Sequence, residues 1–491
     1  MSRVLLLSSY ELGAQPLGLA WPAAELCAAG HEVRSADLSV EPWPAADVAW
    51  AQAVALSVPM HTALRLALAA VDRLHETRPE APVALYGLYA PVAAAAGALR
   101  QGDLAVAGDV GASLADWLDG EAPADAETAP VVALGRARDA KGSAGVLPRR
   151  ADLPGLEAYA RLLTADGESL VGTVEASEGC NHRCRHCPVP VVYGGRSRLV
   201  ATDAVLADID ALVAAGAGHV RFADPDFLNR PTHALAVVRE MHAAHREITF
   251  DATIKVSHLL RHRDVVAELA RLGLLFVVSA FESTNDAVLR RLQKGHSAAD
   301  ASRAVVELRR CGVEIRPSFL PFTPWTNRQD VVDIVDFVAA HDLVANVDPV
   351  QYSIRLLIPP GSLVLDSDDA VLTRCLGELD VRSLGYRWSA DDPILDELQT
   401  ALAGRCETAA TTAEPVETTY AAVREIVFDR LGRRDPGPPK PVVPRGPAGA
   451  RPRLSEPWFC CAEPTRDQLA GPGSAPVAFD SCPSPTTPTN G

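Results

Sequence analysis

The 491 residues include only four lysines, and no stretch of about 18 uninterrupted apolar residues occurs anywhere. The second absence argues against a membrane-spanning helix. The opening Met1-Ser2-Arg3 before the short apolar run Val4–Leu7 lacks the pattern of a signal peptide, so the expected location is cytoplasmic. Basic charge is also short: a net charge of −16 argues against a general polyanion binder, because nucleic-acid affinity comes mainly from Lys and Arg neutralising phosphates. With alanine so abundant, the scarcity of lysine reads as coding bias rather than chemistry. No Gly-x-Gly-x-x-Gly stands at the first turn, which weakens a dinucleotide site. What is present is an ordinary soluble composition, 48% hydrophobic and 22% charged, with material for two or three domains. Ten cysteines in so long a chain are no disulfide framework; clustered in a reducing compartment they point to metal or redox chemistry.

Residues 1–120 alternate short apolar runs with Ala- and Leu-rich helical stretches. Strands are expected at Val4–Leu7, Val33–Leu38, within Val48–Val58, at Val83–Tyr86 and at Leu104–Ala107. Strict alternation implies βαβ units and a parallel sheet, a Rossmann-like α/β domain. Residues 121–167 mix Pro, Gly and charge and read as a connector. From 168 to 365 the alternation resumes, with strands expected at Val171–Ala176, His219–Ala223, Ile248–Ile254, Phe276–Phe281, Val313–Leu320 and Val350–Ile358. Six such units suit a partial (β/α)6 barrel of the TIM type, with its chemistry at the C-terminal strand ends. Residues 366–431 read as helical, and 432–491, rich in Pro, Gly and Thr, as a flexible tail.

Cys180-Asn-His-Arg-Cys184-Arg-His-Cys187 follows the first strand of the second domain. Thiolates are the usual protein ligands of iron–sulfur clusters, and three closely spaced ones hold three irons and leave a fourth open. Zinc is the alternative, but it takes four protein ligands in a closed structural site, and no fourth follows at zinc-ribbon spacing.

This triplet resembles the radical S-adenosylmethionine (SAM) superfamily, whose loop motif has three and then two residues between its cysteines. The resemblance implies a [4Fe–4S] cluster on Cys180, Cys184 and Cys187, with SAM chelating the open iron and a low-potential electron donor such as flavodoxin or ferredoxin. It also implies cofactor contacts from His186 before the third cysteine, Asp224 and Asp226 at the second strand end, and Glu282-Ser283 at the fourth. Ser318 on the fifth strand and Arg355 on the sixth are further candidates for ribose or carboxylate contacts, and Lys294-Gly295 follows in a familiar place. A polar residue at a strand end or helix cap is the structural alternative for each.

A Rossmann-like domain ahead of the barrel resembles the cobalamin-binding branch, so cobalamin is a further candidate cofactor. The Asp-x-His-x-x-Gly ligand signature is missing, Ser8-Ser9-Tyr10-Glu11-Leu12-Gly13 standing in its place, and His31 is expected at the surface.

Near the C-terminus, Trp458-Phe459-Cys460-Cys461-Ala462-Glu463-Pro464 interrupts the tail. Adjacent cysteines do not readily form a relaxed disulfide together, but they offer two soft thiolates to one soft centre. The segment resembles a radical SAM family named for its Cys-Cys-Ala-Glu-Pro ending, in which selenocysteine replaces the first Cys in some members. That implies a reactive role for Cys460 and Cys461. The expected function is SAM-dependent modification or alkylation of a small molecule or a soft heteroatom, with no nucleic acid and no membrane as partner. The alternatives are RNA or protein modification of the methylthiotransferase type, and a non-enzymatic iron–sulfur or metal-binding redox protein.

Overall fold

The computed structural model describes residues 1–100, 103–120, 141–142, 145–443, 446 and 451–456. The first five expected strands form one parallel sheet: β1 (Arg3–Ser8), β2 (Glu32–Asp37), β3 (Ala53–Ser57), β4 (Val83–Tyr86) and β5 (Leu104–Val106), ordered β2-β1-β3-β4-β5. In β1 the side chains of Val4 and Leu6 enter the core under one face, and those of Leu5 and Leu7 enter the core under the other. A central parallel strand covered on both faces must be a continuous apolar run, which is why Val4–Leu7 was conspicuous in the sequence. His31, expected at the surface, is buried, and the Ser2 N–H donates to its Nδ1 at 3.3 Å.

The second sheet has seven strands. β6 (Arg161–Thr164), which lies in the expected connector, and β7 (Gly167–Val174) form an antiparallel hairpin. A short pair, β8 (Ser177–Gly179) and β9 (Ser197–Leu199), brackets the cysteine loop. Then follow β10 (His219–Phe222), β11 (Thr249–Thr253), β12 (Leu274–Glu282) and β13 (Glu314–Phe319), all parallel with β7 and separated by helices. The sixth expected barrel strand, Val350–Ile358, does not form. Pro349 opens a short 3-10 turn there, Pro359 and Pro360 follow, and what remains is a single bridge between Phe322 and Arg355. The 3-10 turn takes up residues 349–352 and leaves too little extended backbone for a strand. Residues 366–431, expected to be helical, also hold an antiparallel hairpin, β14 (Leu376–Asp380) with β15 (Gly385–Trp388), before the helices Pro393–Thr411 and Val416–Arg430.

The described part of the expected tail makes specific contacts with the body of the protein. Asp435 accepts from the buried Arg424 guanidinium at 2.7 Å, and the Val442 N–H donates to the Ala340 carbonyl at 2.8 Å. Arg451 is buried and donates to Asp342 at 3.0 Å, with Glu314 of β13 3.6 Å away. Residues Arg453–Leu454 then form β16, antiparallel to β6, so the sheet runs β13-β12-β11-β10-β7-β6-β16. Leu454 packs on Leu162, Val171, Phe276 and Val278 inside the barrel. This strap thus touches β13 at one end of the sheet and pairs with β6 at the other. Because β16 is antiparallel to β6, and β6 to β7, β16 runs toward the C-terminal strand ends. Just past β16, Tyr10 donates to Glu456 at 2.5 Å, and Gly13, at φ +65°, lies so close that an added Cβ would stand 2.8 Å from the Glu456 Cβ. Replacing Arg451 by Ala leaves Glu314 buried with less cation beside it. Tryptic cleavage at Arg453 is expected to accelerate by about tenfold or more, the effect of about 1.4 kcal/mol of lost local stability.

Candidate active site

The cysteine loop lies between β8 and β9 and is held from β10 and its following turn. Asp224 accepts from the Ala176 N–H at 2.9 Å and the Ser177 hydroxyl at 2.6 Å. Burial pushes its carboxyl up to about 7 in spite of those bonds. Asn229 accepts the Asn181 N–H at 3.0 Å, and Asn181 in turn accepts from Ser197 at 3.0 Å. The loop is therefore fixed at both ends before any cofactor arrives.

Cys180 and Cys184 are buried, and Cys187 is half-buried. Burial pushes the Cys180 thiol up to about 11, so an arriving metal displaces its proton. Lys255 Nζ donates to Cys184 Sγ at 3.3 Å. Lys294 Nζ donates to Glu282 Oε1 at 3.0 Å, and His186 Nε2 meets the same oxygen at 3.0 Å. Burial alone would raise the Glu282 carboxyl; Lys294 first and His186 second outweigh it and hold it far below the usual range. Glu282 is placed by a break in regularity: the β12–β13 register shifts between Ala280 and Glu282, and Glu282 sits at φ 63°. A non-glycine residue there is strained and persists only where its surroundings over-determine it. Here those surroundings are the Lys294 and His186 contacts, together with its carbonyl, which accepts the Leu320 N–H at 2.7 Å.

Three reduced thiols on one loop, two of them buried and one of these beside Lys255, fit an anionic iron–sulfur cluster. None of the seven described cysteines forms a disulfide. The four outside the loop are engaged elsewhere: Arg149 donates to Cys27 at 3.1 Å, Cys375 to Asp391 at 3.5 Å and Cys406 to the Pro349 carbonyl at 3.0 Å, while Cys311 caps the helix Ala298–Arg310. No fourth thiol among the described residues completes a closed zinc site.

The structure brings His186, Asp224, Asp226, Glu282 and Ser283 to the strand ends around the loop. His186, Asp224 and Glu282 are committed to the contacts above, and Ser283 caps the following turn by accepting the Asn285 N–H at 3.1 Å. Ser318 faces a small internal cavity on the strap side with Arg221, Arg316, Leu454 and Glu456. Arg355 is a correction: with the sixth strand absent, its guanidinium lies 3.6 Å over the Trp388 ring and donates to Asp396 at 2.6 Å. Cys460 and Cys461 lie outside the described residues. Sequence reasoning missed Lys255, Asn229 and His258. The scarcity of lysine was the available signal, since three of the four lysines stand at this loop or at the cavity beside it.

That cavity, about 230 Å³, separates the strand ends of the first domain from the cysteine loop. Its basic residues are paired: Lys141 donates to Glu175 at 2.7 Å and Glu178 at 2.5 Å, and Arg198 donates to Glu178 at 2.9 Å and lies 3.5 Å from Asp109 across the domain boundary. Glu11, where the cobalamin-ligand signature would stand, accepts the N–H groups of Leu17 at 2.9 Å and Gly18 at 3.2 Å. Burial nevertheless pushes it up to about 8. The folded chain therefore holds this proton where the unfolded chain, near 4.5, has lost it, and stability falls as pH rises from about 4.5 to 8. Glu11→Gln is expected to flatten that fall and to gain about 2 kcal/mol at pH 7 over the parent, read from denaturant midpoints across pH.

Residues 174–338 match the Radical SAM superfamily profile. Hopanoid C-2 methylase of Rhodopseudomonas palustris (strain TIE-1) is 24% identical over 132 residues, 26% of this chain and 25% of the relative. tRNA-2-methylthio-N(6)-dimethylallyladenosine synthase of Magnetococcus marinus is 25% identical over 238 residues, 45% of this chain and 52% of that protein. The chain thus spans between a quarter and about half of the length of these curated relatives. Among solved structures, the cobalamin-dependent SAM radical enzyme OxsB with aqua-cobalamin and SAM bound superposes at a TM-score of 0.64 with 13% identity, over 88% of this chain and 72% of that one. The radical SAM methyltransferase TsrM from Kitasatospora setae, with cobalamin and a [4Fe–4S] cluster, gives 0.54 with 18% identity, over 69% and 70%. At these identities the likeness is one of fold.

Proposed function

With residues 174–338 forming a radical SAM domain, we propose that this chain is an enzyme that reductively cleaves SAM to methylate or otherwise alkylate a small molecule or a soft heteroatom. The observation that carries the reading is the cysteine loop, whose three thiols are pre-positioned beside Lys255 and the Glu282–Lys294 pair. A [4Fe–4S] cluster with SAM supplies one-electron cleavage of a carbon–sulfur bond, fed by a donor such as flavodoxin or ferredoxin. The chain's own residues do the rest. Cys180, Cys184 and Cys187 would hold the cluster, Lys255 and Lys294 would balance its thiolate charge, and Glu282 holds His186, which fixes the turn into Cys187. Methyl transfer is favoured by the likeness to a hopanoid C-2 methylase and to TsrM.

Cys460 and Cys461 are proposed to take part as nucleophiles or soft ligands for sulfur, selenium or arsenic. The strap supports this: it runs in the direction of the C-terminal strand ends and ends with Glu456 against Tyr10 of the first domain, and four further residues extend at most about 14 Å. Cys460→Ser with Cys461→Ser is expected to abolish product formation while leaving iron content and SAM binding unchanged; undiminished product would refute the role. Cobalamin is the second candidate cofactor, and the first domain's strand order and its cavity at the strand ends favour it. At about 230 Å³ the cavity is smaller than a typical drug-sized site, so a corrinoid would require the two domains to part there. The match to a tRNA methylthiotransferase favours RNA modification as the second reading, against which the net charge of −16 weighs.

A further inference from the structure

His182, Asp226 and His258 come from three separate places: the cysteine loop, the turn after β10 and the short helix Val256–Arg261 after β11. Their donor atoms all lie within 4.8 Å of one another. Asp226 Oδ2 is 2.8 Å from His258 Nδ1 and 3.3 Å from His182 Nε2. Asp226 is fully buried and His258 nearly so. Oδ2 of Asp226 and Nδ1 of His258 meet at hydrogen-bonding distance but without its direction, and both atoms are left with no hydrogen-bond partner. Buried polar atoms are seldom left in that state, and each instance calls for an explanation.

From this arrangement we infer a second metal site in the protein, in which His182, Asp226 and His258 bind one divalent first-row transition ion apart from the cysteine cluster. Two donors each about 2.05 Å from a common ion lie about 2.9 Å apart at a right angle and about 3.35 Å apart at the tetrahedral angle. The two contacts to Asp226 Oδ2, at 2.8 and 3.3 Å, fall close to that range. Two imidazoles and one carboxylate suit zinc or iron(II) rather than calcium or magnesium. The other Asp226 oxygen accepts the Lys255 N–H at 3.4 Å, an outer contact of the kind that orients a metal-binding carboxylate. His182 is about a quarter exposed, which gives the ion its entry and leaves room for a water as fourth ligand. His182 Nε2 also lies 3.2 Å from His258 Nε2, and an ion would take the place of that contact. Because His182 stands between Cys180 and Cys184, the ion would tie the cluster loop to the ends of β10 and β11.

Cobalt(II) is the probe, because its visible absorption reports nitrogen and oxygen ligands and its near-ultraviolet bands report thiolates. In full-length Cys180→Ala/Cys184→Ala/Cys187→Ala protein, roughly one cobalt per chain is expected, without thiolate bands. Adding His182→Ala or His258→Ala is expected to weaken binding about tenfold or more. No cobalt binding in the triple variant, or binding indifferent to both histidines, overturns the site. Should the triple variant not fold, the intact protein decides by metal analysis after its cluster iron is extracted. One retained equivalent of zinc or iron that His182→Ala removes supports the site, and none retained overturns it. His182 is on a loop and partly exposed, so its replacement spares the core. Failure of the intact protein to cleave SAM, with cobalt binding as expected in the triple variant, would count against the proposed function and leave this site standing.

Discussion

Cys184→Ala is expected to abolish SAM cleavage, with cluster iron falling to background. Cys184 is buried, its sulfur 3.3 Å from Lys255 Nζ, and it lies between the other two ligands in sequence. Removing it leaves two thiols, too few for a site-differentiated cluster, and a buried lysine without its thiolate. Iron content, the visible absorption of the anaerobically reconstituted protein and 5′-deoxyadenosine release on reduction check it together. Serine at the same position keeps the volume and loses the soft ligand, so the same outcome is expected there.

The second large effect lies one contact further out. Glu282→Leu removes the carboxylate that Lys294 and His186 share and leaves a buried ammonium unpaired. Such a break costs about 3–5 kcal/mol. Adding Lys294→Met to Glu282→Leu removes the stranded charge and is expected to restore most of that stability. It does not restore the anchor on His186, so cluster occupancy stays low in both variants. Denaturant midpoints and iron content are therefore expected to part company in the double variant. If stability and iron recover together, the carboxylate supports the fold and does not position the loop.

Several of these features were legible in the residues. The cysteine spacing announced the loop, and alternating apolar runs announced ten parallel strands in two sheets, because a strand covered on both faces has to be apolar throughout. The eleventh, Val350–Ile358, had the apolar content and lacked the ladder, with prolines at 349, 359 and 360. Arg355 was misplaced for the same reason. The strap was hidden because β16 is two residues long in a stretch rich in Pro, Gly and Arg, and its partners Asp342, Glu314 and Leu162 are remote in sequence. Lysine scarcity was read as coding bias, whereas Lys141, Lys255 and Lys294 each meet a carboxylate or a thiol at the sites described. A rare residue placed beside functional groups carries information that composition alone hides. The His182–Asp226–His258 grouping is a product of topology: the parallel order of β7, β10 and β11 sets their three following loops side by side.

The loop is proposed to hold a cluster that delivers an electron to SAM. Anaerobically reconstituted protein, reduced and mixed with SAM, tests it most directly by mass spectrometry of the released fragments. A brown protein that converts SAM to 5′-deoxyadenosine or another cleavage fragment only when reduced is expected, and Cys184→Ala protein that does not. A colourless protein carrying zinc on its cysteines, with SAM recovered intact after reduction, would contradict it.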